Sequence, residues 1–173
     1  MDADNQQERL KLIGWIVGFI DGEGCFSISI FRNKTSKLGW QVFPELAVTQ
    51  GKKSLSSLKL LKDFFGCGKI FVNRRHDNHK EDIYRYCVRS VKDLSEIIIP
   101  FFQENPLRTS KRKDFDLFVK GLQLIGMKHH LSHKGLSQIA TLSSEMNRKK
   151  SSKFLESSET TRQTHSPKGE GKI

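Results

Sequence analysis

The sequence has only three cysteines, Cys25, Cys67 and Cys87, and no two of them lie close together. An odd count without close pairs argues against a disulfide framework or a zinc site. Each is expected to fill apolar space in a strand, in a protein that lives under reducing conditions. No apolar run is long enough to cross a bilayer. The first residues, MDADNQQERLK, lack the apolar stretch of a secretory signal and the arginine richness of a transit peptide. Standard RNA-binding motifs are missing too, and Phe31, Phe43 and Phe71 form no recognisable stacking motif.

Positive charge is what the chain has in excess. Its 173 residues carry 30 Lys and Arg against 19 Asp and Glu, a net charge of +11. In a chain this small, such an excess points to a polyanionic partner, with nucleic acid first. An apolar content of 36% allows one modest core.

Hydrophobic periodicity orders the chain. Residues 8–21 read as a helix through Leu10, Ile13, Val17 and Ile20, with Gly14 and Gly18 one turn apart on a neighbouring stripe. A lone helical glycine costs about 1 kcal/mol against alanine. Two of them suggest close approach by another backbone. Residues 25–33 alternate as a strand, 33–39 turn, and 40–50 form a second strand in which Pro44 hints at an edge or a bulge. Residues 54–65 return to helical spacing and stop at Gly66. Strands at 68–75 and 82–90 and a helix at 91–103 follow, then helices at 111–125 and 133–148, with Thr109 or Ser110 and Ser132 as caps.

The order α-β-β-α-β-β-α predicts an α+β fold: a four-stranded antiparallel sheet with helices on one face, plus C-terminal helices. Residues 1–150 would form the domain. Residues 151–173, rich in Ser, Thr, Lys, Glu and Gly, read as a disordered polar tail.

The outward face of the sheet would carry Ser27, Ser29, Asn33, Gln41, Glu45, Lys69, Asn73, Arg75, Arg85 and Arg89. These side chains hydrogen-bond base edges or pair with phosphates, and a twisted ribbon fits the major groove. An ordinary solvated sheet face would look similar.

The first helix ends in Asp21-Gly22-Glu23-Gly24. Acids sit poorly at the negative end of a helix macrodipole. A hard divalent cation would offset them and take oxygen ligands, whereas a plain D-G turn with a solvated glutamate would need none.

Residues 16–24, IVGFIDGEG, closely resemble the signature of the LAGLIDADG homing endonucleases. Gly18, Asp21 and Gly24 match, Ile16, Phe19 and Ile20 are apolar as required, and Glu23 fills the second acidic place. The resemblance runs over about residues 10–148, through GFIDGEGCFSISI, ELAVTQ, GCGKI, NPLRTSKRKDF and HHLSHKGLSQIATLSSEMN.

The resemblance implies a DNA-binding saddle and Mg²⁺-dependent cutting of both strands of a long pseudo-palindromic site. Mn²⁺ is expected to replace Mg²⁺ in this family pattern, and Ca²⁺ to support binding without cleavage. No small-molecule cofactor and no membrane are implied. Glu23 would hold the metal with the backbone carbonyl of Gly22, although glutamate departs from the aspartate of the name motif. Gln50 would orient the attacking water, and Lys111 would stand near the scissile phosphate. Lys113 is the next choice, and Lys52 or Lys53 could reach phosphate.

Gly14, Val17, Gly18 and Asp21 would form the interface of a homodimer, with Asp21 bracing the motif. Only one motif is visible, so a second copy is the simplest partner. An intracellular setting is implied, in a prokaryote or an organelle. Two rivals keep the scaffold: an RNA-splicing maturase and a non-cleaving DNA-binding regulator. The combination of Glu23, Gln50 and Lys111 favours cleavage.

Overall fold

The computed structural model describes residues 3–73, 82–147 and 153–156. Helix α1 (Ala3–Glu23) leads into strands β1 (Gly24–Arg32) and β2 (Trp40–Gly51). A 3₁₀ turn, Lys52–Ser54, opens α2 (Leu55–Phe65). Strands β3 (Lys69–Asn73) and β4 (Ile83–Val88) follow, then α3 (Val91–Asp93), a π-helical turn (Leu94–Ile98) and α4 (Ile99–Glu104). Helices α5 (Lys111–Gly126) and α6 (His133–Glu145) complete the fold, joined through the 3₁₀ turn His129–Leu131. The sheet is four-stranded and antiparallel, as the sequence periodicity predicts, and its strands lie in the order β1-β2-β4-β3.

Alternation in β1 decides the layering. Phe26, Ile28 and Ile30 are buried, while Ser29 and Phe31 are exposed. Phe26 meets the rings of Phe102, Phe115 and Phe118, which places α4 and α5 on the inner face. Gly24 makes the helix-to-strand switch possible: a Cβ there would lie 2.7 Å from the carbonyl oxygen of Ile20. Gly66 stops α2 in the left-handed region at φ 63°.

β1 is an edge strand, and α6 covers it. Asn147 donates from its side-chain amide to the Phe26 carbonyl at 2.9 Å, and the Ser143 hydroxyl donates to the Ile28 carbonyl. Edge carbonyls are thereby satisfied inside the chain. Ser132 caps α6 as expected, accepting from the Gly135 N–H at 3.1 Å. Pro44 lies in β2, which is central in the sheet. Its pairing with β4 begins only at Leu46, so at Pro44 the strand has β1 alone as partner and needs no second donor.

Three expectations need correction. The predicted 91–103 helix is interrupted by the π turn just ahead of Pro100, whose ring and missing N–H conflict with a regular i−4 bond to Glu96. The first helix starts at Ala3 rather than residue 8, and its apolar stripe divides: Leu10 is 62% exposed and Ile13 and Val17 are half-buried, while Ile20 is fully buried together with Ile16. Helix α1 thus has two apolar faces, only one of them satisfied within the chain. The segment assigned to a disordered tail is also folded in part. Phe154 is buried and packs edge-on against Trp40 at 5.1 Å, so the domain extends past residue 150.

Candidate functional site

The last turn of α1 delivers three groups in three directions. Asp21 turns inward and is buried. Its carboxylate accepts the Arg108 N–H at 2.8 Å, the Thr109 N–H at 3.0 Å and the Thr109 hydroxyl at 2.6 Å. Burial raises the Asp21 pKa, but these bonds and the charge of Lys111 outweigh it and hold the carboxyl below its ordinary value. Asp21 therefore braces the motif, as expected. Its oxygens are spent inside the chain rather than offered across an interface.

Glu23 points outward and is exposed. The Gln50 amide, from the end of β2, donates to its carboxylate at 3.2 Å. Lys111, in the first turn of α5, donates from Nζ to the Gly22 carbonyl at 3.3 Å and to the Gly24 carbonyl. A cation against the last carbonyls of α1 offsets the negative end of the helix dipole. The Asp21–Thr109 clamp fixes the start of α5, and the Thr109 hydroxyl accepts the Lys111 N–H at 3.2 Å. Ser110 holds the cap position without a side-chain bond, so Thr109 does the work for which the sequence offered two residues. Lys113 is exposed on the same helix, and Lys52 and Lys53 are exposed just after β2.

Sequence reasoning thus finds Glu23, Gly22, Gln50 and Lys111, and the fold brings all four together. The donors fit a hard divalent cation: one exposed carboxylate and one backbone carbonyl, both oxygen. Among the described residues, no group of three or more His, Cys, Asp or Glu converges on a metal position. One chain supplies only part of such a shell, and Mg²⁺ commonly completes its own with water and phosphate oxygens.

Strand register decides the second part of the site. Ser27 pairs with Glu45, Phe31 with Gln41, Thr49 with Arg85 and Phe71 with Arg85. Ser27, Ser29, Gln41, Glu45, Lys69, Asn73 and Arg85 therefore share the face opposite the helices. Asn33 and Arg89 continue it just beyond the strand ends, and Asn33 donates to Gln41 at 2.7 Å. Arg75 lies outside the described residues. Exposed Thr49 joins the same face; only the register, not its side-chain type, singles it out.

Glu45 differs from its neighbours. It is 5% exposed, and its two oxygens accept from Arg85 and Arg89. In this structure it holds arginines rather than presenting itself to a base. Cys87 lies buried on the same face, and burial pushes its thiol up to about 11, with the nearby Glu45 carboxylate adding to the shift. Burial raises Cys25 as well, against the opposing charges of Lys111 and Arg85. Cys87 fills buried space in its strand as expected, although its sulfur also accepts from Arg89 at 3.8 Å, whereas Cys25 is only half-buried and its thiol lies 3.6 Å from Asn147 Oδ1.

The third feature is the open face of α1. Leu10, Ile13, Gly14, Val17 and Gly18 line a groove of about 630 Å³ together with Asp21 and residues 104–106 and 108. A Cβ added at Gly14, Gly18 or Gly22 would meet nothing within 4 Å. Among the described residues, no contact requires glycine at these places.

Comparison with known proteins gives the family. The model described as LAGLIDADG endonuclease matches residues 16–122. A probable intron-encoded endonuclease of Neurospora crassa is 37% identical over 140 residues, covering 80% of this chain and 25% of its own length. The homing endonuclease I-ApeII of Aeropyrum pernix is 30% identical, over 64% of this chain and 62% of its own. The homing endonuclease I-TnaI superposes with a TM-score of 0.70 at 38% identity, covering 80% of this chain and 89% of that one. I-SmaMI, bound to an uncleaved DNA target in the presence of calcium ions, gives 0.72 at 38% identity, over 82% of this chain and 46% of that one. The chain thus spans about a quarter of the first curated relatives it matches and about half of I-SmaMI. Among the described residues, no helix is long and apolar enough to cross a membrane.

Proposed function

This chain belongs to the LAGLIDADG endonuclease family, and from that premise we propose that it is a site-specific endonuclease cutting both strands of a long duplex DNA with Mg²⁺. The observation that carries this reading is the convergence of Glu23, the Gly22 carbonyl, Gln50 and Lys111 at the exposed end of α1. That end opens beside a sheet face of hydrogen-bonding and basic side chains.

Glu23 and the Gly22 carbonyl would hold the metal, which when bound neutralises phosphate charge and lowers the pKa of water. The chain's own contribution is placement. The sheet docks in the major groove and sets the register of the phosphates. Gln50 fixes the Glu23 carboxylate and presents an amide to water. Lys111 keeps a positive charge where charge builds on the scissile phosphate. Mn²⁺ is expected to replace Mg²⁺, and Ca²⁺ to support binding without cutting; the calcium-containing DNA complex of I-SmaMI is consistent with the latter.

One Glu23 serves one strand, so two are needed. The open glycine face of α1 supports a symmetric homodimer. Intron-encoded relatives support an intracellular role in intron homing.

The test is incubation of the full chain with a random duplex library and Mg²⁺, followed by sequencing of cut ends. Discrete double-strand breaks at one long site are expected. Binding without cleavage of any duplex in Mg²⁺ or Mn²⁺ would point instead to the regulator, and preferential binding to structured intron RNA to the maturase.

A further inference from the structure

Ala47 on β2 and Cys87 on β4 face each other on the outer side of the sheet and are 3% and 2% exposed, although neither faces the core. A network of longer side chains covers them. Arg85 pairs across from Thr49, yet its guanidinium donates to Glu45, farther along β2. The second Glu45 oxygen accepts from Arg89 Nε. Arg89 is gripped further by two rings, with its guanidinium carbon 4.6 Å from the centroid of Phe71 and 5.2 Å from that of Phe43. The small residues at 47 and 87 leave the room that lets one carboxylate reach both arginines.

The charges point to a role. The Glu45 side chain is 6% exposed, whereas those of Arg85 and Arg89 are 45% and 38% exposed. The acid sits beneath and the guanidiniums stand above it toward solvent. Arg85 donates to the carboxylate through one terminal nitrogen, whereas Arg89 uses Nε on the carboxylate and one terminal nitrogen on Cys87 Sγ at 3.8 Å; each guanidinium still has a terminal nitrogen facing outward. Bidentate arginine contact to guanine O6 and N7 needs such a fixed fork. A free arginine on a basic surface would instead swing to the nearest phosphate, which carries no sequence information.

We infer that Glu45 is a positioning residue that holds Arg85 and Arg89 as a rigid reader of guanine edges and, by cancelling one of their two charges, weakens binding to non-cognate duplex. Glu45 trades affinity for selectivity. The inference rests on duplex DNA being the ligand of this face.

The experiment uses the full chain with Ca²⁺ in place of Mg²⁺. Wild type, Glu45→Gln and Glu45→Asp are compared on two probes: the duplex polymer poly(dA-dT), which offers no guanine edge, at several salt concentrations, and a random duplex pool sequenced after selection. The positions read by the two arginines are those whose guanine enrichment disappears in Arg85→Ala or Arg89→Ala.

Glu45→Gln is expected to bind poly(dA-dT) several-fold more tightly, with a salt slope steeper by about 0.9 for the one charge released, and to lose guanine enrichment at those positions. Glu45→Asp keeps the charge but is too short to reach both arginines. It is expected to keep the wild-type salt slope and still lose the enrichment. Unchanged enrichment in both variants, with wild-type salt slopes, overturns the inference while leaving the nuclease reading intact. A wild type that binds neither probe overturns both.

Discussion

The carboxylate of Asp21 accepts the hydroxyl of Thr109 at 2.6 Å across a separation of 88 residues. This bond ties the end of the first helix to the start of α5, and so ties Glu23 to Lys111. The two halves of the candidate site are positioned by one buried acid whose carboxylate is engaged by Arg108 and Thr109.

Asp21→Asn is therefore expected to cost about 2–3 kcal/mol at neutral pH, because a charge-assisted network loses its acceptor. The pH dependence has a definite sign. The folded pKa of Asp21 lies below its ordinary value of 3.8, so its contribution is complete above that value and fades as pH falls through the folded pKa. Denaturant titrations of both proteins should show the difference shrinking only in strong acid. A difference that stays constant there contradicts the clamp.

Lys111→Met should leave duplex affinity in Ca²⁺ within about tenfold of wild type, since one phosphate contact is lost. Cleavage at the selected site should fall by about 10²–10³-fold, the usual cost of removing one donor aimed at developing charge. Equal losses in binding and cutting would reduce Lys111 to a docking residue. Lys113→Met on the same helix serves as the control.

Gly18→Leu separates fold from assembly. None of the described residues lies where the new side chain would start, and replacing a helical glycine should stabilise an isolated protomer by about 0.5–1 kcal/mol. The same side chain would fill the open groove on α1. Sedimentation should show a shift from dimer to monomer, with double-strand cutting lost. A dimeric, fully active Gly18→Leu protein would remove α1 from the interface.

Phe154→Ala should destabilise the domain by about 3 kcal/mol, as removal of a buried aromatic does, measured as a lower denaturation midpoint. No change would mean that the residues after α6 are dispensable to the fold.

Much of the structure was legible because period and parity are local properties. Alternation in FSISIF placed Ser27 and Ser29 on the outer face, and the same parity gathered Gln41, Lys69 and Arg85 with them. Glu23 stood out because an acid at a helix C-terminus breaks a local electrostatic rule. What was not legible depends on contacts far apart in sequence. Thr109 became important only through Asp21, and Asn147 only through the edge of β1. Glu45 reads as a polar outward residue in the sequence. Its burial arises because Arg85 and Arg89 fold over it from another strand. Helix α1 is apolar on two faces, and its period alone does not say which face meets its own chain; burial of Ile16 and Ile20 shows that.

The most direct test of the site uses the duplex recovered from the library selection, with wild type and Glu23→Gln side by side. Glu23 is exposed, so the variant should fold with stability within about 0.5 kcal/mol of wild type. Wild type should convert the duplex to two fragments with Mg²⁺, whereas Glu23→Gln should bind it in Ca²⁺ and leave both strands whole in Mg²⁺. Cutting by Glu23→Gln at the wild-type rate would contradict the assignment of the metal to the end of α1.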